Sequence, residues 1–188
     1  MDRKIIKKHL SNEKAFTLIE VIVSLVLAGI MAAVVGLGLV KIAQSYIFAK
    51  QNSETVQKAQ IAMTRIVKEL GAAEPSGTST AITAAGTTAV SYKRREPIGS
   101  STFMSNTISI NPIPSSSNGQ VQMNGATLIN NVVTGSSLFA YYNAAGSSVT
   151  PSATTVPNIR RIDVTLSLAS AGNQTSTFTN SVWINESY

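Results

Sequence analysis

The sequence predicts an α+β fold, one long N-terminal helix followed by a β-rich head, and three observations predict it. From Phe16 to Val40 the chain is apolar apart from one ionisable side chain, Glu20. Apolar residues then recur at helical spacing as far as Leu70. Beyond Gly71 and Pro75, short apolar runs alternate with Gly, Ser, Asn and Pro clusters, the pattern of strands and turns. The 188 residues suffice for one domain with an appendage and are too few for two ordinary domains.

Residues 1–15 read as a basic leader. They hold Arg3, Lys4, Lys7, Lys8 and Lys14 against Asp2 and Glu13, and also His9, the only histidine. The formal charge of +6 for the whole chain falls to +3 without them, because ten Lys/Arg and seven acids remain. A basic flank beside a nearly neutral domain therefore explains the charge better than nucleic-acid binding does. There is no cysteine, so thiolate chemistry and disulfides are excluded. A chain starting at Phe16 would also lack histidine, which removes nucleophile–His pairs and His/Cys metal clusters.

Residues 16–40 read as a membrane-spanning helix half. As a helix, this stretch measures about 37 Å against a hydrocarbon core of about 30 Å. The preceding Lys/Arg cluster keeps the N-terminus cytoplasmic and exports the C-terminal part. A secretory signal peptide would have a shorter apolar run and a cut after it. A plain signal anchor fits the length but gives no reason for Glu20, whose charge in the membrane costs about 3 kcal/mol unless paired or neutralised. Snorkelling to the interface is the bland alternative for this carboxylate.

Ala15-Phe16-Thr17-Leu18-Ile19-Glu20, with the basic leader and apolar run, resembles the processing site of type IV prepilins and type II secretion pseudopilins. The resemblance covers about residues 1–45. It implies a cut between Ala15 and Phe16 by a membrane prepilin peptidase, which then methylates the Phe16 amine. Glu20 becomes the fifth residue of the mature chain and pairs with the Phe16 ammonium of a neighbouring subunit, setting the stagger between subunits. Ala15 departs from the family's usual glycine at this position, which puts the efficiency of the cut in question. The implied partners are other pilin or pseudopilin subunits, the peptidase, an inner-membrane assembly platform and the lipid bilayer. No cofactor, metal or catalytic residue is implied.

Residues 41–71 read as an amphipathic helix half. Ile42, Tyr46, Val56, Ala59, Met63, Ile66, Val67 and Leu70 form the apolar stripe, while Lys50, Glu54, Lys58, Lys68 and Glu69 fall on the polar side. Gly29, Gly36 and Gly38 suit either ordinary membrane-helix composition or close helix packing. No proline interrupts residues 16–74, so no proline kink is expected.

Residues 76–188 form the expected head. Candidate strands are 89–94, 107–110, 120–123, 138–142, 160–168 and 176–184, with a break at Pro112-Ile113-Pro114 and loops over 76–88 and 143–158. The head acids Glu96, Asp163 and Glu186 are too scattered for a carboxylate pair or calcium loop, and no nucleotide-binding or hydrolase motif is present. Lys93-Arg94-Arg95, beside Tyr92, is the candidate polyanion contact, with Arg160-Arg161 a second basic pair. A solvated strand end or subunit contact is favoured over DNA for both. Leu138-Phe139-Ala140-Tyr141-Tyr142 reads as a core strand rather than a ligand platform.

Two longer stretches are similar to the larger minor subunits, the J-type pseudopilins and W-type minor pilins: residues 60–70, Gln60 to Leu70, and residues 137–146, Ser137 to Gly146. These are thought to act at the filament tip and in starting assembly. The sequence-level conclusion is a structural, non-enzymatic minor subunit of a type IV pilus or type II secretion system. It would reside in the inner membrane with a cytoplasmic leader and exported head, and in the filament after assembly. The alternative is an adhesin or DNA-binding subunit of a competence or attachment pilus.

Overall fold

A computed structural model describes residues 16–96, 101–112 and 118–185. The leader with Ala15, the break residues Ile113 and Pro114, and the candidate acid Glu186 lie outside the described residues. The chain divides into two compact units between Ile47 and Phe48.

The described part of the first unit is helix from Leu18 onward. Helix α1 begins at Leu18 and is continuous to Gly71, close to the expected span from Phe16 to Leu70. Within the first unit, large apolar side chains point in every direction; Leu18, Ile19, Val21, Ile22 and Val23 nearly adjoin one another and are all exposed. A helix apolar all round requires an apolar surrounding, and this one is long and apolar enough to cross a membrane.

In the second unit α1 becomes one-sided. Ala59, Ala62, Met63, Ile66 and Leu70 are buried, at the three- and four-residue steps that keep one face inward. The helix ends where Gly71 was expected to stop it. Glu69, assigned above to the polar side, instead turns inward to contact the sheet.

Among the described residues the head is an eight-stranded antiparallel sheet: β1 Ile82–Ala85, β2 Ala89–Arg95, β3 Phe103–Pro112, β4 Asn118–Met123, β5 Ala126–Val133, β6 Phe139–Tyr142, β7 Arg161–Ser170 and β8 Gln174–Trp183. The strand order is β1-β2-β3-β4-β5-β7-β6, with β8 also on β7. β6 and β8 both pair with Arg161–Val164, so they occupy opposite edges of β7, and β5 reaches β7 at Leu168. The core combines the buried face of α1 with Tyr92, Ile108, Val121, Phe139, Tyr141, Ile162, Val164 and Leu166.

Two strands depart from expectation. β1 lies within 76–88, expected to be a loop; its four residues, ITAA, join two strand formers to two alanines, a run too short to read as a strand, and burial of Ala81 and Ile82 adds the driving force. β5 was not anticipated because its alternation is broken. Ile129 and Val132 are both buried three residues apart, since β5 bulges against β4 and Asn131 adopts a positive φ of 59°. The segment 143–158 is irregular as expected, apart from a short 3-10 turn at Val156–Asn158.

Candidate processing and assembly site

Leu18 is the first residue of α1, so Thr17 occupies the cap position and Glu20 the third position of the helix. The Glu20 amide donates to the Thr17 carbonyl at 3.0 Å and lies 3.4 Å from Thr17 Oγ1, while the Val21 amide donates to the same carbonyl at 3.3 Å. Thr17-x-x-Glu20 is thus the sequence form of a capping box. In the sequence Glu20 was read as a membrane charge and an assembly residue, and Thr17 was passed over, although the T-x-x-E spacing was visible. A carboxylate in the first turn also complements the positive end of the helix.

Phe16 immediately precedes the cap and is exposed. A chain beginning there keeps the capping residue and places its ammonium group one position before it. Glu20 is the only carboxylate between Phe16 and Glu54. A chain beginning at Phe16 would carry one cation and one anion a helical turn apart on a largely apolar surface.

Lys93, Arg94 and Arg95 sit at the C-terminal end of β2. Arg94 Nη1 donates to Glu69 Oε2 of α1 at 2.6 Å, and its other guanidinium nitrogens engage Glu96. Tyr92 Oη donates to the same Glu69 oxygen at 3.2 Å. Burial first, then the Glu69 charge and hydrogen bond, push the Tyr92 pKa well above the usual tyrosine value. The Arg94 pKa is raised by its hydrogen bond to Glu96 and by the nearby carboxylates. Arg95 Nε meets Glu74 Oε2 at 2.7 Å, and its guanidinium lies 5.2 Å from the Phe103 ring centroid. The Arg94 and Arg95 charges are thus matched within the chain by carboxylates at and just beyond the end of α1 and by Glu96.

Arg160 donates to the Pro157 and Ile159 carbonyls. Arg161 pairs with Asp163 at 3.0 Å and stacks 4.1 Å from the Tyr142 centroid. Phe139 and Tyr141 are core residues, as expected, with Tyr141 Oη donating to the Gly86 carbonyl at 2.7 Å. Among the described residues no three acids or histidines cluster to hold a metal.

Residues 10–36 match the family described as the prokaryotic N-terminal methylation motif. The match supports the type IV pilin and pseudopilin family. No curated protein and no solved structure matches the chain. The methylation motif indicates processing by a prepilin peptidase and implies other pilins as partners. It marks a structural family rather than an enzyme family. With the one apolar helix among the described residues, the motif fits a single-pass inner-membrane protein.

Proposed function

We propose that this chain is a minor structural subunit of a type IV pilus or type II secretion pseudopilus, cut at Ala15–Phe16, N-methylated on Phe16 and acting near the filament tip or in starting assembly. On this reading residues 16–40 hold the subunit in the membrane and later in the filament core. Residues 41–71 connect to the head, which faces the exported side. Before assembly the Glu20 carboxylate is isolated; in the filament it meets the Phe16 ammonium of a neighbour. Each charge alone is costly in lipid, so pairing rewards one axial stagger over others.

The observation that carries this reading is Glu20 itself. It is the sole ionisable side chain across Phe16–Val40, and it sits in the first turn beside the proposed new amine. Helix capping alone is a competing role, and Glu20→Gln separates the two. Glutamine serves a capping box as well as glutamate does but cannot form the ion pair. The variant should be cut and inserted normally, while its incorporation into filaments falls at least about tenfold, in line with the cost of an unpaired membrane charge. Normal filament number and composition in Glu20→Gln cells would remove the assembly role and leave only the cap.

A further inference from the structure

Adjacent strands bring together Tyr142 of β6, Arg161 of β7 and Trp183 of β8, which stand side by side in register. Their chain neighbours Tyr141, Ile162 and Val182 are buried in the core. Alternation therefore puts the first three on the opposite face of the sheet, away from the core. The Arg161 guanidinium lies 4.1 Å from the Tyr142 ring centroid and 5.9 Å from that of Trp183. Asp163, two residues along β7, meets its Nε at 3.0 Å. Tyr142 and Arg161 are half-buried in this stack, but Trp183 remains 64% exposed. The same face continues as a row of hydroxyls. Thr165 Oγ1 lies 3.4 Å from Thr179 Oγ1, and Ser167 Oγ lies 3.2 Å from Thr177 Oγ1. Ser181 stands opposite Asp163. A hydroxyl has one donor and two acceptor positions, so each keeps bonding capacity after its cross-strand contact.

We propose that this face is a binding platform for a neutral, unbranched glycan of β-linked, gluco-configured rings, with one sugar ring stacked on Trp183. Charge selects the class of ligand. Arg161 is matched by Asp163, and β8 carries no charged residue, so β7 and β8 offer a polyanion no unmatched cation. An apolar partner would find one exposed ring set among hydroxyls.

A pyranose whose hydroxyls are all equatorial meets both features at once. Its axial C–H bonds, made slightly positive by the ring oxygens, fit the negative face of the indole. Its rim of hydroxyls can donate to the Asp163 carboxylate, accept from the Arg161 guanidinium, and do either with the Thr and Ser row. β-Linkage keeps such a chain flat and extended, as a row running along β7 and β8 requires. The Tyr142 stack and the Asp163 contact fix Arg161 before any ligand arrives, which lowers the cost of ordering it on binding. The inference concerns the head and needs neither the cut at Ala15–Phe16 nor a filament.

Trp183 is the only tryptophan, so indole fluorescence reports this face alone. The purified full-length chain, in a detergent without a sugar head group, is titrated with cellotetraose and with chitotetraose. At least one should shift the Trp183 emission saturably, with a dissociation constant of about 0.1–10 mM, weak because a sheet face encloses little of its ligand. Ligand-observed saturation-transfer NMR should show the same binding, and Trp183→Ala should reduce it at least about fivefold. Thr177→Val combined with Thr179→Val keeps strand propensity and removes two hydroxyls, and should weaken binding at least about threefold. No saturable change with either sugar up to about 50 mM, or binding undiminished in Trp183→Ala, would overturn the proposal. A salt-sensitive response to dextran sulfate with none to the neutral sugars would overturn it in favour of a polyanion contact.

Discussion

Glu69 shows how one side chain binds the helix to the sheet. Its side chain is 15% exposed, and it accepts from both the Tyr92 hydroxyl and Arg94. Glu69→Ala would leave a buried hydroxyl unpaired and is expected to cost about 1–3 kcal/mol. Tyr92→Phe, which removes the hydroxyl and leaves the ion pair, should cost only about 1 kcal/mol. Denaturant unfolding of the detergent-solubilised chain, followed by circular dichroism, measures both. The same residues give a pH dependence. Burial raises the pKa of Tyr92 and Tyr141 above the ordinary tyrosine value, so both stay neutral in the fold at a pH where unfolded tyrosines ionise. Their contribution is complete below about pH 10 and is lost as pH rises above it. Tyr141→Phe should flatten that alkaline limb, and a limb as steep as in the parent chain would contradict the assignment.

At the level of elements, β4 and β5 show local rules and tertiary constraint meeting. They are joined by Asn124-Gly125, both at positive φ, 51° and 82°, the two-residue hairpin that Asn-Gly favours. That dipeptide was a legible pointer to β5, and the bulge at Asn130-Asn131 concealed it by shifting the alternation. Gly119 on β4 has a different reason. A Cβ there would lie 2.9 Å from the Asn111 carbonyl oxygen and 3.0 Å from Thr134 Cγ2. Gly119→Ala should therefore destabilise the head by about 1–3 kcal/mol through strain. On α1, Ile66 is fully buried and Ile61 is exposed. Ile66→Ala should cost about 2–5 kcal/mol, and Ile61→Ala less than about 0.5 kcal/mol. Equal losses at the two positions would mean that α1 packs by a different face.

For the whole molecule, the proposed cut at Ala15–Phe16 is the largest single change. It would remove the only histidine and lower the formal charge from +6 to +3, leaving a head whose Arg94, Arg95 and Arg161 charges are already paired. N-terminal sequencing and mass measurement of membrane-extracted protein should find N-methylated Phe16 at the start. Ala15→Gly should be cut at least as fast as the parent chain. A chain beginning at Met1 in an assembly-competent cell would count against the processing proposal.

The apolar run, Glu20 at its depth in that run, and the helix stop at Gly71 were all fixed by sequence because each is a local property: hydropathy, spacing and propensity act within one helix. So was the core character of β7, where Val164, Leu166 and Leu168 keep strict alternation and are buried. Tertiary structure decided what local pattern could not encode. β1 exists because it pairs with β2 and because Ala81 and Ile82 are buried there, neither of which four residues of sequence can show. Glu69 and Arg94 meet across elements 25 residues apart, while Arg95, still half exposed, reaches Glu74 just beyond the helix. Whether a strand is an edge depends on every other strand, so only the assembled sheet shows that, among the described residues, β8 pairs with β7 alone.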